Sequence, residues 1–510
     1  MIELDGRGLT LDLLDRVATR SEPVRLAASV PAELARSRGV IDRALAAGAP
    51  VYGVNTGFGE LKNRHIGESD LARLQLNLLR SHAAGVGRPL GAAEVRALGL
   101  LRANSLAVGV SGVRLELVER VLQLLNHRVH PVVPEQGSVG ASGDLAPLAH
   151  FALVLVGEGR AEFEGHVQSG AESLAKAGLA PITLAPKEGL ALINGTQLST
   201  AILALTLIRA GRVVRAALGA NALSLEGLLG SIRAFDPRAM AVRPHPGQGR
   251  VARALIALTG GSGIVASHAD CDRIQDPYSL RCAPQVVGAS LDALAYATAV
   301  VVREMNSATD NPLVFHDGDD IISSGNFHAQ PIGLVADHVD AALSEVGAIA
   351  ERRLDLLTDA KRSNGLPAFL TPNPGLNSGL MLVQYTAAAL ASENKTLCFP
   401  ATVDSIPTSA GQEDHVSMAP TAARKARAVL ENLARIVACE LIAGAQAIEF
   451  RAPLAPGRGT QSVLAAVRAR VPRVTDDRPL GDAIEALACD VLAGALDDAL
   501  MPHLGAGDLP

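Results

Sequence analysis

Apolar residues recur at three- and four-residue spacing over five long stretches, 199–230, 286–305, 331–358, 379–397 and 418–450, with the charges confined to one side of each. That period is the helical one, so each stretch predicts an α-helix. Most run past the ~10–14 residues usual for a globular helix. Residues 1–110 read differently, as short helices mixed with Gly-containing loops such as Val51-Tyr52-Gly53-Val54-Asn55-Thr56-Gly57-Phe58-Gly59. A break at Val108-Gly109-Val110-Ser111-Gly112 marks the expected boundary. The expectation is a mainly α protein: a smaller mixed N-terminal domain, 1–110, with the Tyr52 loop and His82, and a long-helix domain, 111–510, forming an elongated bundle. Loops rich in Pro, Gly or Asn at 243–249, 370–375 and 405–411 separate the helices, and no fixed-period repeat or heptad series interrupts them.

Composition supports helix on helix. The chain is 48% apolar but only 3% aromatic, without tryptophan, which favours close packing of Ala/Leu helices over sheets. A net charge of −6 gives no basic footprint for nucleic acid or an anionic membrane. The five cysteines, Cys271, Cys282, Cys398, Cys439 and Cys489, are odd in number and form no Cys-x-x-Cys pair. They point to free thiols in a reducing compartment rather than to zinc or a disulfide framework. Met1-Ile2-Glu3-Leu4-Asp5-Gly6-Arg7 lacks the basic start and apolar core of a secretory signal. The longest uncharged windows, 189–208 and 365–392, are broken by Asn, Gln, Thr, Ser or Pro and read as buried segments, not membrane spans. A cytoplasmic protein is expected. Its Ala-rich helical surfaces predict a homo-oligomer.

Against this background the run Gly137-Ser138-Val139-Gly140-Ala141-Ser142-Gly143-Asp144-Leu145-Ala146-Pro147-Leu148 stands out. It is not a serine-hydrolase elbow, because Asp144 occupies the place of the last glycine, and no Gly-Lys-Ser/Thr follows to cradle a phosphate. A glycine-rich turn before a helix starting near Asp144-Leu145 is the plain reading. Ala141-Ser142-Gly143 also has the composition to build an electrophile from backbone. Gly143 offers an unobstructed amide nitrogen and tolerates the bend of cyclisation. Attack of that nitrogen on the Ala141 carbonyl with loss of water closes an imidazolone ring, and loss of the Ser142 hydroxyl as a second water adds a conjugated methylene. None of the twenty side chains is an electrophile of that kind, and its presence would imply chemistry on an amine.

Polar residues gather in loops elsewhere. Tyr52, one of four tyrosines, lies in a glycine-rich turn. Ser81-His82-Ala83-Ala84-Gly85 ends a helix beginning near Asp70, where a histidine serves equally as a cap. Ala191-Leu192-Ile193-Asn194-Gly195-Thr196-Gln197 sets amides in an apolar run, which is costly unless each finds a partner. In Gln275-Asp276-Pro277-Tyr278-Ser279-Leu280-Arg281-Cys282 a phenol and a guanidinium stand one helical turn apart. They could share a pocket, the guanidinium gripping a carboxylate, or form a helix-start cap and a surface ion pair. Gly325-Asn326-Phe327-His328 and Gln412-Glu413-Asp414-His415 are further clusters. No His-Glu-x-x-His or spaced histidine pair accompanies them, so no metal is expected.

Taken in order, the Tyr52 loop, Ser81 to Gly85, Ala141-Ser142-Gly143, Asn194-Gly195-Thr196-Gln197, the 275–281 segment, Glu304-Met305-Asn306-Ser307-Ala308-Thr309-Asp310-Asn311-Pro312 and Gln412 to Met418 resemble the aromatic amino acid ammonia-lyases, covering nearly the whole chain. The resemblance implies a mostly helical homotetramer with active sites shared between subunits. It implies the autocatalytic cofactor 4-methylidene-imidazol-5-one (MIO), made from Ala141, Ser142 and Gly143, with no external cofactor. It further implies Tyr52 as first candidate base, with its proton affinity lowered by the site, and Tyr278 and Glu413 beside it as catalytic groups. Asn194, Gln275 and Phe327 would contact the cofactor, and Arg281 would hold the substrate carboxylate. His82 followed by Ala83, together with the acidic Glu413, resembles the histidine-directed members, in which the acid accepts a ring N–H or acts as an alternate base. The expected reaction is elimination of ammonia from the small-molecule substrate L-histidine, giving urocanate. A tyrosine or phenylalanine ammonia-lyase, or an aminomutase with the same cofactor, is the alternative. A non-catalytic helical scaffold would not need this set of residues together. Gly411, where the family suggests Asn, and Cys398-Phe399, where Ala-His is common, affect the expected pocket shape rather than the reaction class.

Overall fold

The computed structural model describes residues 1–48, 50–57, 59–61, 63–271 and 273–504. Phe58 of the Tyr52 loop lies outside them, as do the last six positions of the expected long-helix domain. The protein is mainly helical, with 20 α-helices among the described residues. The five long patterns correspond to helices Gln197–Gly227, Ala283–Met305, Gln330–Thr358, Met381–Leu397 and Ala419–Glu449. Starts and ends move by a few residues, as end fraying allows.

The chain divides into two compact units. The first comprises Met1–Leu205, Thr298–Asp337 and Pro400–Arg424. It holds four small sheets: Ile2–Leu4 parallel to Val24–Leu26, Val86–Pro89 antiparallel to Pro134–Gln136, a three-stranded sheet of His130–Pro131, Arg160–Phe163 and His166–Ser169, and the hairpin Leu313–Phe315 with Asp320–Ile322. Its core contains buried ionic groups. Lys187, fully buried, donates to Asp310 at 2.7 Å. Asn306 clamps the chain start by donating to the Leu9 carbonyl and accepting from its N–H, both at 2.8 Å.

The second unit comprises Thr206–Ala297, His338–Phe399 and Lys425–Pro510. Its long helices meet through small residues: a Cβ added at Gly227 would stand 2.7 Å from the Ala447 Cβ, and one at Gly444 2.7 Å from the Leu223 Cβ. So close an approach brings backbone atoms into van der Waals range and leaves no room for side chains. A buried polar network crosses this packing, with Arg353 donating to Glu440 at 2.6 and 2.9 Å and Ser224 donating to the same carboxylate at 2.7 Å. Removing Arg353 or Glu440 would leave the other's charge buried without its partner, which costs about 3–5 kcal/mol.

Candidate functional site

Ala141-Ser142-Gly143 sits in the turn that precedes helix Leu145–Leu155, and three contacts fix it. Gly143 has φ +75°, and a Cβ there would lie 2.1 Å from the Gly195 carbonyl oxygen, so only glycine fits. The next residue ties the turn to that carbonyl, Asp144 N–H donating to it at 2.7 Å. Behind the tripeptide, Met418 N–H donates to the Val139 carbonyl at 2.9 Å and Ser417 Oγ to the Gly140 carbonyl at 3.0 Å. Ala141 packs there against Val416 and Met418.

The Asp144 carboxylate accepts from Ser199 N–H and Ser199 Oγ, each at 2.9 Å, in the first turn of helix Gln197–Gly227. Burial raises this carboxyl to about 6, with the Ser199 and Leu198 donors pulling the other way. Between the ordinary value of 3.8 and about 6, the folded state holds a proton that the unfolded state has released. Stability from this group is therefore greatest below about pH 4 and declines as pH rises to about 6. Relative to Asp144→Asn, which does not titrate, the native chain is expected to lose up to about 3 kcal/mol between pH 4 and pH 7. Denaturant titrations of both proteins at the two pH values check this, and an unchanged gap would remove Asp144 as the titrating group.

Tyr52, Ala141, Ser142, Asn194, Phe327 and Glu413 line one cavity of about 330 Å³ in the first unit. Ser142 Oγ donates to Glu413 Oε1 at 2.9 Å, while Thr408 Oγ1 donates to the other oxygen, Oε2, at 2.6 Å. Gln75, buried in helix Leu71–His82, links two segments that lead into the wall. It donates to the Gly53 carbonyl beside Tyr52 at 3.5 Å and accepts from Gly189 N–H at 2.9 Å. Gly189 belongs to helix Glu188–Ile193, which ends at Asn194. The Asn194 carbonyl accepts from the buried Arg102 at 2.7 Å, and its side-chain oxygen, also buried, has no hydrogen-bond partner.

The half-buried Tyr52 oxygen accepts from Gly59 N–H at 3.3 Å. Burial raises its pKa, the Gly59 bond lowers it and the charge of Glu413 raises it again. The net direction is upward, opposite to what a phenolate base requires of its surroundings. His82 does not line the cavity. Its Nδ1 lies 2.9 Å from the Leu78 carbonyl, which can only accept, so Nδ1 carries the proton. Burial lowers its pKa, with the Leu78 bond and the Glu413 charge acting against burial.

Gln275, Tyr278 and Arg281 lie in the second unit and do not line this cavity. Tyr278 is 70% exposed, the Arg281 guanidinium lies over its ring at 4.6 Å, and Arg281 donates to the Gln275 side chain at 2.9 Å and the Asp276 carbonyl at 3.0 Å. Other cavity residues carry no role in the sequence reading: Asn311, Ser323, Ser324, His328 and His415. Asn311 and the two histidines fall inside segments the sequence singled out, whereas Ser323 and Ser324 follow a hairpin with no signal of their own. Arg102 announced itself only as one charge inside the apolar run Leu100-Leu101-Arg102-Ala103. Burial brings it down to about 10, which leaves it charged at neutral pH.

The aromatic amino acid lyase family matches residues 9–469, and the chain belongs to that family. It is 53% identical over 502 residues to a histidine ammonia-lyase of Gloeobacter violaceus, covering 98% of both chains. A histidine ammonia-lyase of Sorangium cellulosum is 53% identical over 508 residues, covering 98% of this chain and 99% of its own. Among solved structures, histidine ammonia-lyase from Trypanosoma cruzi superposes with a TM-score of 0.92 at 41% identity, covering 99% of this chain and 96% of the other. Tyrosine aminomutase from Streptomyces globisporus reaches 0.94 at 38% identity, with 99% of each chain covered. The fold is thus common to lyases and aminomutases, and the distinction between them rests on individual side chains.

Proposed function

We propose that this chain is a carbon–nitrogen lyase that eliminates ammonia from L-histidine to give urocanate. The observation that carries the reading is the Glu413 carboxylate, 2.9 Å from Ser142 Oγ within the cavity. A carboxylate there presents an acceptor to an imidazole N–H beside the reactive tripeptide, which a phenyl ring could not use. An ungripped acceptor would penalise the apolar ring, the sense in which buried polar groups discriminate most strongly. His82 does not line the cavity, but its Nε2 lone pair is left uncommitted by the Leu78 bond, so a turn of the side chain toward the cavity would present an acceptor to the same ring.

The tripeptide fits conversion to MIO. Gly143 has the open nitrogen and left-handed backbone, and Asn194 offers a buried polar side chain in the same wall with an unmet oxygen. Ala141, Ser142 and Gly143 would form the group, which supplies an electrophilic methylene. Asn194 and Gln275 would hold it, and Phe327 would exclude water. Tyr52 would accept the proton from the substrate's β-carbon. Its raised pKa requires a cation nearby, and Arg281 is the group suited to supply one while holding the carboxylate.

Because Gln275, Tyr278 and Arg281 stand outside the cavity, we place them in the site from a second copy of the chain, in a homotetramer. The second unit supports this with exposed Tyr296, Leu382 and Tyr385. Helix Ala283–Met305 is apolar and long enough to cross a membrane, and only 39% of its most apolar window is buried. We read its uncovered face as a subunit interface. Five free thiols, with Cys271 and Cys489 exposed, suit the cytoplasm. With L-histidine the purified protein is expected to develop the near-ultraviolet absorbance of urocanate, and with L-tyrosine or L-phenylalanine to develop no product absorbance. A product from tyrosine and none from histidine would overturn the substrate.

A further inference from the structure

His328 and His415 line the cavity, and the reaction described above uses neither. Their rings stack in parallel, 5.8 Å between centroids and 4° apart in plane. Two hydrogen bonds settle which nitrogen of His328 carries the proton. Gln330 N–H, at the start of helix Gln330–Thr358, donates to His328 Nδ1 at 3.3 Å, so that nitrogen presents its lone pair. The proton is then on Nε2, which donates to the His415 carbonyl at 3.2 Å. One neutral imidazole thus bridges two turns, 325–330 with Phe327 and 412–415 with Glu413.

The second turn needs such support. It follows Ser409 and Ala410, whose φ values of +51° and +53° put two non-glycine residues in the left-handed region. Its inner side is held by Glu413, paired with Thr408 through both main chain and side chain. Further along the turn Asp414 and His415 are exposed, and the bond from His328 reaches the backbone there.

We propose that His328 is a positioning residue: its two hydrogen bonds set the spacing between Phe327 and the Glu413 carboxylate, and so the width of the slot that receives the substrate ring. The inference rests on the histidine-elimination reading and deepens it. The ring stack and the hydrogen bonds separate by substitution. His328→Gln keeps a side-chain oxygen for Gln330 N–H and an amide N–H for the His415 carbonyl, but loses the stack. His328→Phe keeps the stack and loses both bonds.

A misplaced wall about 1 Å from its working position lowers rates by up to about a hundredfold. For His328→Phe, kcat for L-histidine is expected to fall about ten- to a hundredfold and KM to rise about fivefold or more. A smaller folded fraction would not move KM. His328→Gln is expected to recover most of both parameters. Wild-type KM in His328→Phe, or equal impairment in the Phe and Gln variants, would overturn the role. Should the Phe variant fail to fold, His328→Met supplies the arm without hydrogen bonds. A wild-type protein inert toward histidine would overturn the proposed reaction itself; an active one with an unaltered His328→Phe KM would overturn only the part given to His328.

Discussion

Replacing Ser142 by alanine is expected to abolish elimination and to leave a chain of full sequence mass, whereas the native chain is expected to be lighter by two waters. The substitution removes one oxygen from a half-buried side chain, so packing changes little. The hydrogen bond lost, Ser142 Oγ to Glu413, is worth about 1 kcal/mol net, and Glu413 keeps its bond from Thr408. Unfolding therefore does not account for the loss. What disappears is the hydroxyl whose departure as water would complete the electrophile, and no other side chain in the cavity can replace one. Activity is expected to fall by more than about a thousandfold, the scale on which removal of a covalent group acts. Intact-mass measurement of both proteins, beside the urocanate assay, gives two independent readings. A native chain of unmodified mass, with Ser142→Ala equally active, would overturn the cofactor.

Tyr52→Phe is the second large effect, and it is expected to separate maturation from turnover. The ring and its burial are retained, and only the oxygen that accepts from Gly59 is lost. The variant should therefore fold and show the same two-water deficit as the native chain. Its kcat for histidine is expected to drop about 10²- to 10⁴-fold, the usual contribution of a positioned acid or base. A Tyr52→Phe variant with native kcat would shift the base to Glu413, another proton acceptor within this wall. The upward pKa of Tyr52 sharpens the test. Burial and Glu413 both favour the protonated phenol, and the Gly59 bond opposes them.

Helices were the most legible part of the sequence, because a 3.6-residue period survives even in Ala-rich runs with few charges. Cavity residues were legible where chemistry constrains the residue type. Ala141, Ser142, Tyr52, Asn194, Phe327 and Glu413 come from distant parts of the chain and line one cavity. The rest of the wall was not legible. Ser323 and Ser324 reach it through a hairpin whose register no local pattern encodes, and His328 acts through the direction of two hydrogen bonds. Arg102 and Lys187 hold the wall from inside the core, and neither the lone charge of Arg102 in its apolar run nor the pair Lys187-Glu188 reveals the buried partner. Gln275, Tyr278 and Arg281 illustrate a further limit, since their motif was plain while their place outside the cavity depends on the path of the chain.

The bond between Ser142 and Glu413 carries a consequence for timing. While the hydroxyl is present it occupies Oε1, the oxygen that faces the tripeptide. Were that hydroxyl to leave as water, Oε1 would lose its donor and stand open to a ring N–H. A chain that had not yet undergone that loss would keep the Glu413 carboxylate engaged internally, and the vacancy for substrate would open only as the reactive group formed. Recognition and reactivity would then switch on together, without any moving part.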